Sequence, residues 1–139
     1  MHNFHTAASM PSIPKTLTQA GFATGIIGKL HVQPESVYPW THDRQKVPGG
    51  PRNVPRMAAA AAGFFAAIGE RPFYLHMGFT DPHRDFGNGQ TYEGVEETRY
   101  DPATVPVPDF LPDMPQVRAD LADYYQAVSR FDHGIGQLL

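Results

Sequence analysis

This sequence predicts an α/β chain built on parallel strands, and three observations carry that prediction. Two short apolar runs, Phe22–Lys29 and Phe73–Phe79, read as buried strands. Stretches with helical caps or helical periodicity precede, separate and follow them. The resulting order, helix–strand–helix–strand–helix, is that of a parallel layer covered by helices.

Each element has its own signals. Ser12 caps a short helix, with Pro14 in its first turn and Gly21 as its stop. Ile13, Leu17 and Ala20 are expected to form its buried face. The glycine-bounded strand Phe22–Lys29 follows, and then a loop from Leu30 to about Gly50, rich in Pro, His and Trp. Arg52–Gly69 reads as a helix capped by Asn53, with Pro55 in its first turn. Its alanine run at 58–62 has high helix propensity, and Phe64, Phe65 and Ile68 continue an apolar pattern. Pro72 precedes the second strand, whose aromatic and aliphatic content suits a buried position. A long irregular segment runs to Pro115. The last helix carries one apolar stripe through Val117, Leu121, Tyr124, Val128, Phe131, Ile135 and Leu138. The stripe continues to the end of the chain without a cap. The 14 prolines and 13 glycines gather mainly at 33–55 and 78–115, as two long connections. Both features predict that the 139 residues are part of something larger.

Composition excludes several classes of function. Hydrophobic content of 41% against 18% charged suits a packed core rather than a disordered tail. The net charge is -3 and no block of basic residues exists, so nucleic acid and anionic membrane are not expected partners. No apolar run is long enough to cross a bilayer. Cysteine is absent, which removes disulfides and thiolate metal sites from this chain. Met1–His5 has neither the charged nor the apolar part of a signal peptide, and in a piece of a longer chain that carries no reading of compartment.

Two polar clusters occupy equivalent places. Gly28-Lys29-Leu30-His31 leaves the end of the first strand, and Asp81-Pro82-His83-Arg84 follows the second. Ligands of open parallel sheets bind beyond the carboxyl ends of strands. On neighbouring strands, Lys29, His31, His83 and Arg84 would bring four potential cations to one crevice. They would repel one another unless an anion were bound, which points to a sulfate, phosphate or carboxylate. Imidazoles beside an anionic ester can also protonate a leaving group. Solvated loop residues are the competing reading of the same clusters. The remaining candidates read as structural. His2 and His5 form a loose terminal pair, His42 lies in a loop and His133 on the last helix. His76 is expected to be a hydrogen-bonded core residue. Trp40 and Tyr38 could wall a sugar subsite or pin a proline-rich loop. Asp101, Asp109 and Asp113 suit turns and caps.

The ordered set of motifs resembles the sulfatase family. The run from Gln19 through Lys29 to His31 resembles the segment in which a helix end, a strand and a Lys-x-His pair follow one another. Phe73–Phe79 followed by Asp81-Pro-His-Arg84 resembles the second motif, whose histidine contacts the sulfate group. Within the family, His31-Val-Gln-Pro-Glu-Ser-Val-Tyr-Pro39 is similar to the heparan N-sulfatase (sulfamidase) branch. So are Tyr100-Asp-Pro102, Val107-Pro-Asp-Phe-Leu-Pro112, Arg118-Ala-Asp-Leu-Ala122 and Asp132-His-Gly-Ile-Gly136. Leu30 stands where most sulfatases have Trp. The resemblance covers nearly the whole chain.

That resemblance implies an alkaline-phosphatase-like fold, with residues 1–139 as an internal portion of the N-terminal catalytic domain. It implies hydrolysis of sulfate esters or sulfamates on a sulfated sugar, here the N-sulfoglucosamine of heparan-type glycans. It further implies a formylglycine nucleophile made from Cys or Ser, and a bound calcium. By position, Lys29 would bind sulfate oxygens and hold the aldehyde hydrate. His31 would hydrogen-bond that hydrate and help expel sulfate. His83 would bind sulfate and assist the departing amine or alcohol, and Arg84 would orient substrate or support the loop. Two parts of the family pattern are missing. Ser12-Ile-Pro-Lys-Thr16 imitates the start of the Cys/Ser-x-Pro-x-Arg motif but lacks its arginine and stands too close to Lys29, so Ser12 reads as a cap. No cluster supplies the roughly six to eight oxygens that calcium takes. The chain alone is therefore expected to be inactive. A phosphatase or phosphodiesterase of the same superfamily, and a non-catalytic anion-binding module, are the alternative readings.

Overall fold

The computed structural model describes residues 5–86 and 91–139, so His2 lies outside the described residues. Helix α1 (Ile13–Gln19) leads into strand β1 (Ala23–Gly28). A 3-10 turn at Glu35–Val37 and strand β2 (His42–Arg44) follow. Helix α2 (Val54–Ile68), strand β3 (Phe73–Gly78) and helix α3 (Pro115–Gly136) complete the order. The strands form one parallel sheet in the order β2-β1-β3. This is the α/β arrangement that the strand and helix signals predict.

β1 is central and buried along its whole length, as its apolar run requires. Ala23 and Ile27 face α2, which lays Met57, Ala61, Phe64 and Ile68 against them. Those four positions are spaced by four, three and four residues, so one stripe of the alanine-rich helix meets the sheet. Thr24 and Ile26 point to the other face. There the Thr24 hydroxyl meets that of Thr18 on α1 at 2.8 Å. Register pairs Thr24 with Tyr74 and Ile26 with His76, placing these two rings on the same face. Trp40 covers them, stacked on Tyr74 at 5.9 Å and tilted over His76 at 6.1 Å.

Several expectations need correction. Ile13 is 59% exposed, and Pro14 is the buried residue of α1. Ser12 is buried because its hydroxyl, besides accepting from the Lys15 amide, donates to the Val37 carbonyl. The Leu30–Gly50 segment is not all loop, since it contains β2. This strand is three polar residues long and is anchored by a side chain. The Thr41 hydroxyl donates to the Thr24 carbonyl at 2.7 Å and accepts from the Thr24 amide at 2.8 Å. Thr41 thus supplies ladder bonds that backbone would otherwise make. β3 is an outer strand and mostly half-buried rather than buried. His76 accordingly packs against Trp40 on a half-buried strand instead of sitting deep in the core. On α3 the buried residues are Ala122, Gln126, Ala127, Arg130 and Gly134, while Tyr124 and Ile135 of the apolar stripe are exposed. α3 packs against α2, with Gly134 set close against Val54. No described helix is long and apolar enough to cross a membrane.

Candidate functional site

β1 and β3 run side by side from Ala23–Phe73 to Gly28–Gly78, so the two polar clusters leave the same edge of neighbouring strands. At that edge the chains approach closely. The Lys29 amide donates to the Gly78 carbonyl at 2.7 Å. A Cβ on Gly78 would stand 1.9 Å from the Lys29 carbonyl oxygen, and one on Gly28 would stand 2.4 Å from that of Gly78. Gly28 also has φ +82°, a backbone state that side chains disfavour. The two glycines therefore let Lys29 and the Phe79–Arg84 segment start from almost one point. Lys29 is half-buried, while His31 and His83 are exposed.

The loop that carries His83 is built on charge. Asp81 is buried, and its two oxygens are taken by two arginines. Arg52, just ahead of α2, donates from Nε at 2.7 Å, and Arg130 of α3 donates from Nη1 at 2.7 Å. Arg130 also donates to Glu97 at 2.9 and 3.1 Å, and Gln126 donates to the same carboxylate at 2.9 Å. The Tyr92 ring lies 5.0 Å from the Arg130 guanidinium. Burial works to lower the pKa of Arg130, but hydrogen bonds and charge from Glu97 and Asp81 hold it above the ordinary arginine value. Two cations and two anions thus neutralise one another beneath the turn.

Above this network the Asp81–Arg84 turn closes with the His83 amide donating to the Thr80 carbonyl at 2.8 Å. The His83 Nδ1 meets the Arg84 carbonyl. A carbonyl oxygen only accepts, so Nδ1 carries the proton and Nε2 is the nitrogen left to face a ligand. Arg84 turns the other way. Its guanidinium forms a bidentate pair with Asp120 of α3 at 2.6 and 2.8 Å and lies 4.7 Å from the Phe86 ring. The hydrogen bond that Arg84 donates to Asp120, then the charge of that carboxylate, raises the Arg84 pKa. A hollow of about 370 Å³ opens beside the His31 loop, walled by Leu30, Val32, Pro34, Glu35 and Gln45. Trp40 and Tyr38 border an adjoining hollow of about 220 Å³. Both also pin the loop, Trp40 on Tyr74 and Tyr38 through the Thr6 hydroxyl at 2.8 Å.

Among the described residues no group of three His, Asp or Glu could hold a metal ion. Asp81 and Glu97 are already bound by arginines, so the described residues do not fit the calcium that the resemblance implies. Sequence reasoning missed Arg52, Arg130, Glu97 and Gln126. One signal was available: Ala122, Gln126, Arg130 and Gly134 repeat every fourth residue and form one row of a helix.

No family model matches the chain. Human N-sulphoglucosamine sulphohydrolase is 39% identical over 160 aligned positions that take in the whole of this chain. Those positions cover 32% of the human protein, so the chain spans about a third of that relative's length.

Proposed function

Because the chain is sulfamidase-like sulfatase sequence along its whole length, we propose that the protein to which it belongs is a hydrolase that removes sulfate from N-sulfoglucosamine of heparan-type glycans. The carrying observation is the 39% identity, spread over a chain whose Lys29 and His83 segments leave one sheet edge. The chemistry of a sulfamate defines what the site must supply. Breaking the N–S bond leaves charge on sulfate oxygens and needs a proton on the departing nitrogen. Lys29 offsets the oxygen charge from a half-buried position, where such an interaction is worth more than in bulk water. His83 meets the sulfate and delivers the proton to the amine from Nε2 when its ring is doubly protonated. His31 assists release of sulfate by the same acid–base chemistry. Arg84 would reach substrate only by leaving Asp120; docked there, it supports the loop.

Nucleophile and divalent cation are not provided by this chain, so the chain by itself is expected to be inactive. On this reading residues 1–139 are an internal portion of an alkaline-phosphatase-like catalytic domain, and other segments of the longer protein would supply both. Supplying the longer protein with N-sulfoglucosamine, an O-sulfated glucosamine and a phosphate monoester tests the reading. Release of sulfate from the first, well above turnover of the others, is expected. Preferential phosphate release would move the protein to the phosphatase alternative, and binding of sulfate without any turnover would make it an anion-binding module.

A further inference from the structure

Arg52 contributes to the ionic network differently from its other members. The Arg130 side chain is fully buried and pairs with both Asp81 and Glu97. Arg52 is partly exposed, with its side chain at 18%, and spreads its donors over the His83 turn itself. Nε holds Asp81 at 2.7 Å, and Nη2 donates to the His83 carbonyl at 2.8 Å and to the Asp85 carbonyl. The neighbouring Pro51 carbonyl accepts from the Thr80 amide at 3.4 Å. One planar group therefore ties the beginning and the far side of the turn whose middle carries the imidazole. Arg130 already satisfies the second Asp81 oxygen, so charge balance alone does not call for the bonds to the two carbonyls. A lysine at position 52 would supply a single charge without the rigid fork.

We infer that Arg52 is a positioning residue for His83, holding the turn so that Nε2 of the imidazole is presented at the sheet edge beside Lys29. The catalytic consequence rests on the sulfatase reading above, whereas the clamp itself does not. The orientation follows from two contacts: the clamp holds the His83 backbone carbonyl, and the Arg84 carbonyl takes Nδ1 of the ring. Displacing a catalytic group by about 1 Å can lower turnover about a hundredfold.

The test compares Arg52→Gln and Arg52→Lys with Arg56→Gln, which removes an exposed pair to Glu93 from the first turn of the same helix. In the 139-residue chain, amide exchange at His83 is expected to rise about tenfold in Arg52→Gln, the factor for one lost charge-assisted hydrogen bond. It should rise less in Arg52→Lys and not at all in Arg56→Gln, with Ile26 and Ile27 on β1 unchanged throughout. In the longer protein, kcat on N-sulfoglucosamine should fall about a hundredfold in Arg52→Gln with KM little changed. Unaltered exchange at His83, or an equal rise on β1, overturns the clamp. A wild-type protein that releases no sulfate overturns the sulfatase reading, and the exchange comparison decides the clamp in either case.

Discussion

Asp81 is held between two guanidiniums, and that makes it the residue on which the His83 turn most depends. Removing one partner from a buried charge network leaves the others uncompensated, at a cost of about 3–5 kcal/mol. Asp81→Ala should therefore lower stability by about that amount in denaturant melts, with both arginines left unpaired at that carboxylate. A loss below about 1 kcal/mol, the range of an exposed pair, would show that the network is solvated rather than buried. The sequence makes Lys29, His31 and His83 visible because each follows an apolar run, where a charge has little structural reason to be. It hides Arg52 and Arg130. Each is a single charge in or beside a helix, and their partners lie 29 to 49 residues away in sequence. Pairing over such distances leaves no local pattern.

Among the elements, the ones with strong periodicity or caps are legible: β1, α2 and the extent of α3 follow from the chain. β2 does not, because His42-Asp-Arg44 has no apolar face and exists through the Thr41–Thr24 bonds. The buried face of α3 also escapes, because hydropathy registers Leu121, Val128 and Phe131 but not a row of alanine, glutamine, arginine and glycine. Of the glycines, Gly78 has the least room for a Cβ, which would stand 1.9 Å from the Lys29 carbonyl oxygen. Gly78→Ala should separate β1 from β3 at the edge that carries Lys29. Forcing a Cβ into a well-packed site costs about 1–3 kcal/mol, read as a shift of the unfolding midpoint. An unchanged midpoint would mean that the strands part there without penalty. At the start of α3, the hydrogen bond from Arg118 lowers the Asp113 pKa, burial opposing it and the charge of Arg118 adding to it. A carboxyl depressed in the folded state contributes stability above its unfolded pKa of about 4, and loses it as pH falls through the lower folded value. The group is fully exposed, so Asp113→Asn should remove only a small contribution, present at neutral pH and vanishing as pH falls below the folded value, which flattens the acid limb of the stability profile. A loss in acid as large as that at pH 7 would contradict this.

At the scale of the whole molecule, the sheet has two outer strands among the described residues, and Phe73 at the start of one is 48% exposed. Phe110 is 84% exposed in the segment before α3. Unpaired strand edges and exposed aromatics attract hydrophobic dyes and partners. The 139-residue chain should bind such a dye more strongly than the longer protein, and equal binding would mean that these surfaces stay open in both. The central claim is that Lys29 and His83 act on one sulfate group. It is tested most directly by sulfate release from N-sulfoglucosamine by the longer protein carrying Lys29→Ala or His83→Ala, each confirmed folded by its melting transition. Each substitution is predicted to lower kcat/KM about a hundred- to ten-thousandfold. Turnover within a few-fold of wild type in both variants would contradict the assignment.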